Sequence, residues 1–145
     1  MQRRKARGQA LVEFAVLLPL LLLLLLGVEE TGRLAYTAIV ARGAAHAGAL
    51  YGAQSSITAA DYNGMAAAAR ADAPSGFAMT AAASHVCTCG DGSAAPNCAL
   101  SDCGAGRLIV YAKVDTTATF TPVCGFLGWP APMQVQGAAV IRAKP

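Results

Sequence analysis

RGQALVEFAVLLPLLLLLLLGVEE, Arg7 to Glu30, decides the architecture of this chain. From Phe14 to Val28 it holds no charged or strongly polar side chain, and Leu20 to Leu26 are seven leucines in succession. Extended back to Gln9, the run is 20 residues long with Glu13 as its one charge. A helix of about 20 apolar residues crosses roughly 30 Å of hydrocarbon. A buried core helix of this composition needs a much larger protein around it than 145 residues provide. The stretch therefore predicts a membrane-spanning helix over about residues 9–28.

The bulk composition agrees once it is divided. Mean hydropathy is +0.46, hydrophobic residues make up 55% and charged residues only 13%, about half the usual charged share. The net charge of +3 is local in origin. Arg3, Arg4, Lys5 and Arg7 all precede Gly8; taking these 4 from the 11 basic residues leaves 7 against 8 acidic ones, a net charge of −1. The basic cluster is thus a topology signal and not a nucleic-acid footprint, and no nucleic-acid partner is expected. Basic residues flanking a membrane helix stay on the cytoplasmic side, which predicts that the chain is exported from about Glu29 onward. All five cysteines, Cys87, Cys89, Cys98, Cys103 and Cys124, then lie where disulfides form.

Three segments follow: a basic leader over residues 1–8, a long helix over 9–53, and a small exported α+β domain over 54–145. EETGRLAYTAIVARGAAHAGALYGAQ lacks proline and is rich in alanine, so the helix continues beyond the bilayer. Forty-five residues make a rod of roughly 65 Å. Gly48 and Gly52 either permit close helix–helix contact in a membrane or filament, or mark a flexible helix end. Pro19 should kink or loosen the spanning part. DYNGMAAAARADAP predicts a short helix capped by Asp61 and stopped by Pro74. In RLIVYAKVDTTATFTPV, the parity Leu108, Val110, Ala112, Val114, Thr116, Ala118, Phe120 is the more apolar, which predicts a strand with that face buried. Met133–Ala143 reads as a final strand and residues 76–88 as a third, giving a roughly three-stranded antiparallel sheet.

The order of parts at the N-terminus has a meaning of its own. A secretory signal is cut after its apolar run, yet the leucine block is followed by GVEETGRL with no small-residue cleavage motif. A basic leader, Gly8, then Glu13 five positions on, then an apolar helix resembles the signal of type IV pilins. Arg7-Gly8, Val12-Glu13-Phe14, Leu18-Pro19 followed by leucines, and Gly27 with Glu29 or Glu30 resemble more narrowly the TadE-like family, minor pseudopilins of the tight-adherence (Flp) pilus. The likeness covers about residues 7–50. It implies cleavage between Gly8 and Gln9 by a prepilin peptidase, retention of the helix, and assembly with other pilins and an inner-membrane platform. It also implies that Glu13 sets register by pairing with a neighbour's new amine, since a carboxylate at that depth wants a partner. The plainer alternative leaves Glu13 at the headgroup interface.

The remaining patterns are weaker. CTCGDGSAAPNCALSDC has a spacing unusual for zinc, so Cys87, Cys89, Cys98 and Cys103 are read as disulfide cysteines. A nested pairing, Cys87–Cys103 with Cys89–Cys98, fits a hairpin-like loop, although spacing alone does not fix connectivity. Cys124 is left over, either free or bridging subunits. Gly90–Gly92 reads as a turn rather than a phosphate loop, and Asp91 with Asp102 makes a poor calcium pattern. His46 and His85 have no evident acid or nucleophile partner. The sequence thus predicts a non-enzymatic, cofactor-free, single-pass inner-membrane pseudopilin with its head in the periplasm. The alternatives are an uncleaved membrane anchor bearing a binding domain, and a small secreted zinc or thiol protein.

Overall fold

The computed structural model describes residues 3–104, 106–123 and 131–144. Helix α1 runs from Arg3 to Gly52, with Pro19 inside it. It is followed by α2 (Ser56–Ala60), α3 (Tyr62–Asp72), strand β1 (Met79–Cys89), a single 3-10 turn (Leu100–Asp102), β2 (Leu108–Phe120) and β3 (Met133–Arg142). The three strands form one antiparallel sheet in the order β1-β2-β3. This is the α+β arrangement expected from the sequence. The short helix α2 was not anticipated; Ser55 opens it by accepting the Thr58 N–H while Thr58 accepts the Ser55 N–H.

Helix α1 has two halves with opposite surroundings. In its second half the buried positions are Glu30, Thr37, Ala41, Ala44, Ala45 and Ala49, with Gly48 and Gly52 in the same stripe. Their spacing of three and four residues makes one helix face, and that face lies on the sheet and on α3. Small residues set the distance. A Cβ on Gly48 would stand 2.6 Å from the Met65 carbonyl, and one on Gly52 would stand 2.7 Å from the Ala112 Cβ. The close contact that these glycines allow is therefore made inside the subunit, against α3 and β2, and not in a membrane.

Strand β2 buries the parity predicted for it. Ala112, Val114, Thr116, Ala118 and Phe120 are buried, while Lys113 and Asp115 pair on the open face at 3.1 Å. The main core joins Ala45 and Ala49 of α1, Met65 and Ala69 of α3, and Ala112 and Val114 of β2. Alanine fills most of these places, so the elements approach until backbones nearly touch. The closest approach is at Gly137 of β3, paired with Thr116. A Cβ there would come within 2.5 Å of the Ala41 carbonyl oxygen. Thr116 Oγ1 donates to that same oxygen at 2.7 Å, which satisfies a hydroxyl that burial would otherwise penalise.

Candidate functional site

From Gly8 onward the first half of α1 is bare. Within Gly8–Gly52 the most apolar window, long enough to cross a membrane, has none of its residues buried. Leu11 and Val16 are about 70% exposed, and every leucine from Leu20 to Leu26 is exposed as well. Such a surface on a soluble protein would drive aggregation. In a bilayer it is the surface that lipid or neighbouring helices cover.

Gly8, Gln9 and Glu13 lie at the head of this bare segment. The Gln9 side-chain amide donates to Glu13 Oε1 at 3.1 Å, one helical turn away. Nothing lies within 4 Å of where a Cβ on Gly8 would be. The fold therefore makes no demand for glycine at position 8. Pro19 is carried within the continuous helix.

At the junction between the bare half and the head stands Glu30, which in the sequence is marked out only by its place in the TadE-like pattern. It is fully buried. Its Oε1 accepts the Val123 N–H at 2.6 Å, and its Oε2 lies 3.3 Å from Arg33 Nη1. Arg33 also reaches Glu29 at 3.8 Å and stacks over the Phe120 ring at 5.6 Å. This cluster fastens the end of β2 and the segment after it to the helix, two residues beyond the apolar run. A charge just past a membrane segment ordinarily reads as solvent-facing, so the sequence held no signal for this role.

The cysteine loop corrects the nested pairing. Cys87 bonds Cys98, and Cys89 bonds Cys103, a crossed arrangement. The cause is the path of the chain. After β1 it turns at Gly92, in the left-handed region at φ 88°, and runs back along the strand. Cys89 N–H donates to the Ser93 carbonyl and Ala95 N–H to the Cys87 carbonyl. That return carries Cys98 to the level of Cys87. The 3-10 turn at Leu100–Asp102 then reverses the chain again and brings Cys103 back to Cys89, before β2 begins beside it. The nested expectation assumed one reversal where there are two. Cys87, Cys89, Ala95 and Cys103 form a second buried cluster. Cys124 lies outside the described residues.

The polar loop groups are engaged locally. Asp102 accepts the Asn97 N–H at 2.9 Å and the Ala99 N–H at 3.4 Å. The Asn97 contact is the larger cause holding its carboxyl below the usual carboxylate range. Asp91 is lowered in the same way by the Ser93 amide and then its hydroxyl. Each carboxylate thus shapes its own turn. His85 gains a partner that the sequence did not reveal, because Tyr62 Oη lies 2.6 Å from its Nδ1 and the two rings stack. His85, Cys87 and Cys98 place their donor atoms within 4.8 Å of one another, but both sulfurs are spent in the disulfide. His46 is exposed on α1.

Among the described residues one helix is long and apolar enough to cross a membrane, and its far half is built into a small disulfide-linked α+β head, the plan of a membrane-anchored protein. Residues 8–50 match the family model described as TadE-like protein. The match supports a protein associated with a tight-adherence (Tad) pilus and carrying an N-terminal membrane helix. No curated protein matches the chain. No solved structure matches it either.

Proposed function

We propose that the chain is a minor pilin or pseudopilin of a tight-adherence (Flp-type) pilus and not an enzyme. A prepilin peptidase cuts between Gly8 and Gln9 on the cytoplasmic face of the inner membrane. The retained helix waits in the bilayer with its head in the periplasm, then joins other pilins through the assembly platform to serve surface adhesion. The observation that carries the reading is the open space around Gly8. A glycine that the fold does not use, set between a basic cluster and a bare apolar helix, fits recognition by another protein. The family match over residues 8–50 supports the same reading.

Glu13 then changes partner. Before cleavage the Gln9 amide satisfies it; after assembly the new amine of a neighbouring subunit does so more strongly, because that contact pairs opposite charges at low dielectric. The test is the mature N-terminus together with assembly. Intact mass should show loss of residues 1–8, and Glu13→Ala should be processed but fail to enter sheared filaments. Normal incorporation of Glu13→Ala sinks the register role. An uncleaved anchor with a binding domain is the second reading, favoured by the Gln9 contact that already satisfies Glu13 within one chain. A chain that keeps Met1 in the envelope establishes it instead.

A further inference from the structure

The end of the head farthest from the membrane holds a small cleft whose lining is cationic and apolar together. Arg107, Arg142 and Lys144 line it, with Leu100, Leu108 and Val110, around a volume of about 240 Å³. Its position is set by the backbone. The Lys144 N–H donates to the Ala53 carbonyl just past the end of α1, and the Ala143 N–H to the Val110 carbonyl. From Val28 to Ala53 the helix rises roughly 37 Å, so the cleft opens well away from the bilayer.

The charge there is unbalanced although the head as a whole is not. From Glu29 onward there are 7 basic and 7 acidic side chains. Among the described residues Arg33 and Lys113 are in ion pairs. Of the five remaining cations three line this one cleft, and none of the three forms an ion pair with a described residue. The nearest acid in sequence to Leu100 is Asp102, which is turned to the Asn97 and Ala99 amides and does not line the cleft. Leu100 itself is 70% exposed. It sits between Cys98 and Cys103, so both disulfides hold that wall in place.

We infer that this cleft binds an acidic sugar residue of a surface polysaccharide. Guanidinium and ammonium donors favour a carboxylate, and the aliphatic floor suits the C–H face of a pyranose ring. The volume is below the usual range for larger ligands and takes one ring-sized group. A bare inorganic anion would leave the apolar floor unused, and an aspartate or glutamate side chain would fill little of it. The inference takes from the proposed function only that the head is exported, and it stands whether or not residues 1–8 are removed.

The full chain in nonionic detergent should be titrated with trigalacturonate and with neutral trigalactose by calorimetry. Trigalacturonate should bind, more weakly as salt rises, and trigalactose should bind at least about tenfold more weakly. Arg107→Glu with Lys144→Glu should cost about tenfold or more in affinity. Should the pair disturb folding, Arg107→Gln alone should still weaken binding at an unchanged unfolding temperature. Reduction of the disulfides should weaken it too, by freeing Leu100. Equal binding of the neutral sugar, unaltered binding by the folded variants, or competition by hexaglutamate or inorganic sulfate at concentrations no higher than the sugar's own would each overturn the assignment.

Discussion

Glu30 Oε1 accepts the backbone N–H of Val123 at 2.6 Å, across 93 positions of sequence. The carboxylate is fully buried, and its other oxygen faces Arg33. Glu30→Ala removes the buried carboxylate that accepts the Val123 N–H and takes one acidic partner from Arg33. Loss of a hydrogen bond to a charged group of this kind costs about 1.5–3 kcal/mol. For a head of this size that lowers the unfolding temperature by roughly 10 °C or more, measured by thermal melts in detergent. A melt within a degree or two of the wild type would remove Glu30 from its structural role.

Two glycines should behave oppositely. Gly137→Ala sets a Cβ against the Ala41 carbonyl, where a backbone must move to admit it. Overpacking of that sort costs about 1–3 kcal/mol, and urea titration of the head should show it. Gly8→Leu meets nothing within 4 Å and should leave the same titration unchanged, while intact mass shows that residues 1–8 are retained. A destabilised Gly8 variant, or a neutral Gly137 variant, contradicts this assignment of the two positions.

Acid should loosen the head in a defined window. Asp61 caps α3 by accepting the Gly64 N–H, and it also accepts from Tyr51 Oη. These contacts, the Gly64 one foremost, lower its pKa, as the turn contacts lower those of Asp91 and Asp102. A carboxyl whose folded value is depressed stabilises the fold above its unfolded value of about 3.9, and that contribution goes as pH falls through the folded value. Stability should hold from about pH 6 to 5 and fall below about pH 4. Asp61→Asn should lessen the fall, and melts recorded across that range decide the matter.

The crossed disulfides are open to a thiol count. Replacing Cys87 and Cys98 together by serine should leave Cys89 and Cys103 bonded to each other. Replacing Cys87 and Cys103 together should leave Cys89 and Cys98 without their native partners and free to react with a thiol reagent after denaturation. Loss of one bridge, which closes a loop of 11 or 14 residues, should cost about 3 kcal/mol. A nested pairing reverses the labelling of the two variants.

Some of this architecture was legible in the sequence because its cause is local. Seven consecutive leucines are a membrane signal in any context, and alternation along Leu108–Phe120 fixes which face of β2 turns inward. Asp61 and Pro74 bracket α3 by capping chemistry alone. The features that escaped depend on where distant residues come to lie. The cysteine pairing follows from a second chain reversal at Leu100–Asp102 that no spacing announces. The partner of Glu30 lies just past the end of β2, 93 positions away in sequence. Gly48 and Gly52 were visible as places of close approach, but only the fold shows that Met65 and Ala112 are what approaches.

Between Leu20 and Gly52 the helix contains no proline, and the same unbroken helix that lies bare below Val28 forms the wall of the core above it. There is no linker to act as a hinge. A turn of the lower segment about its own axis must therefore swing the head through the same angle, and an axial displacement must lift the cleft at the tip by the same distance. The molecule works as a handle and its tool forged in one piece: whatever grips the lower end also aims the upper one.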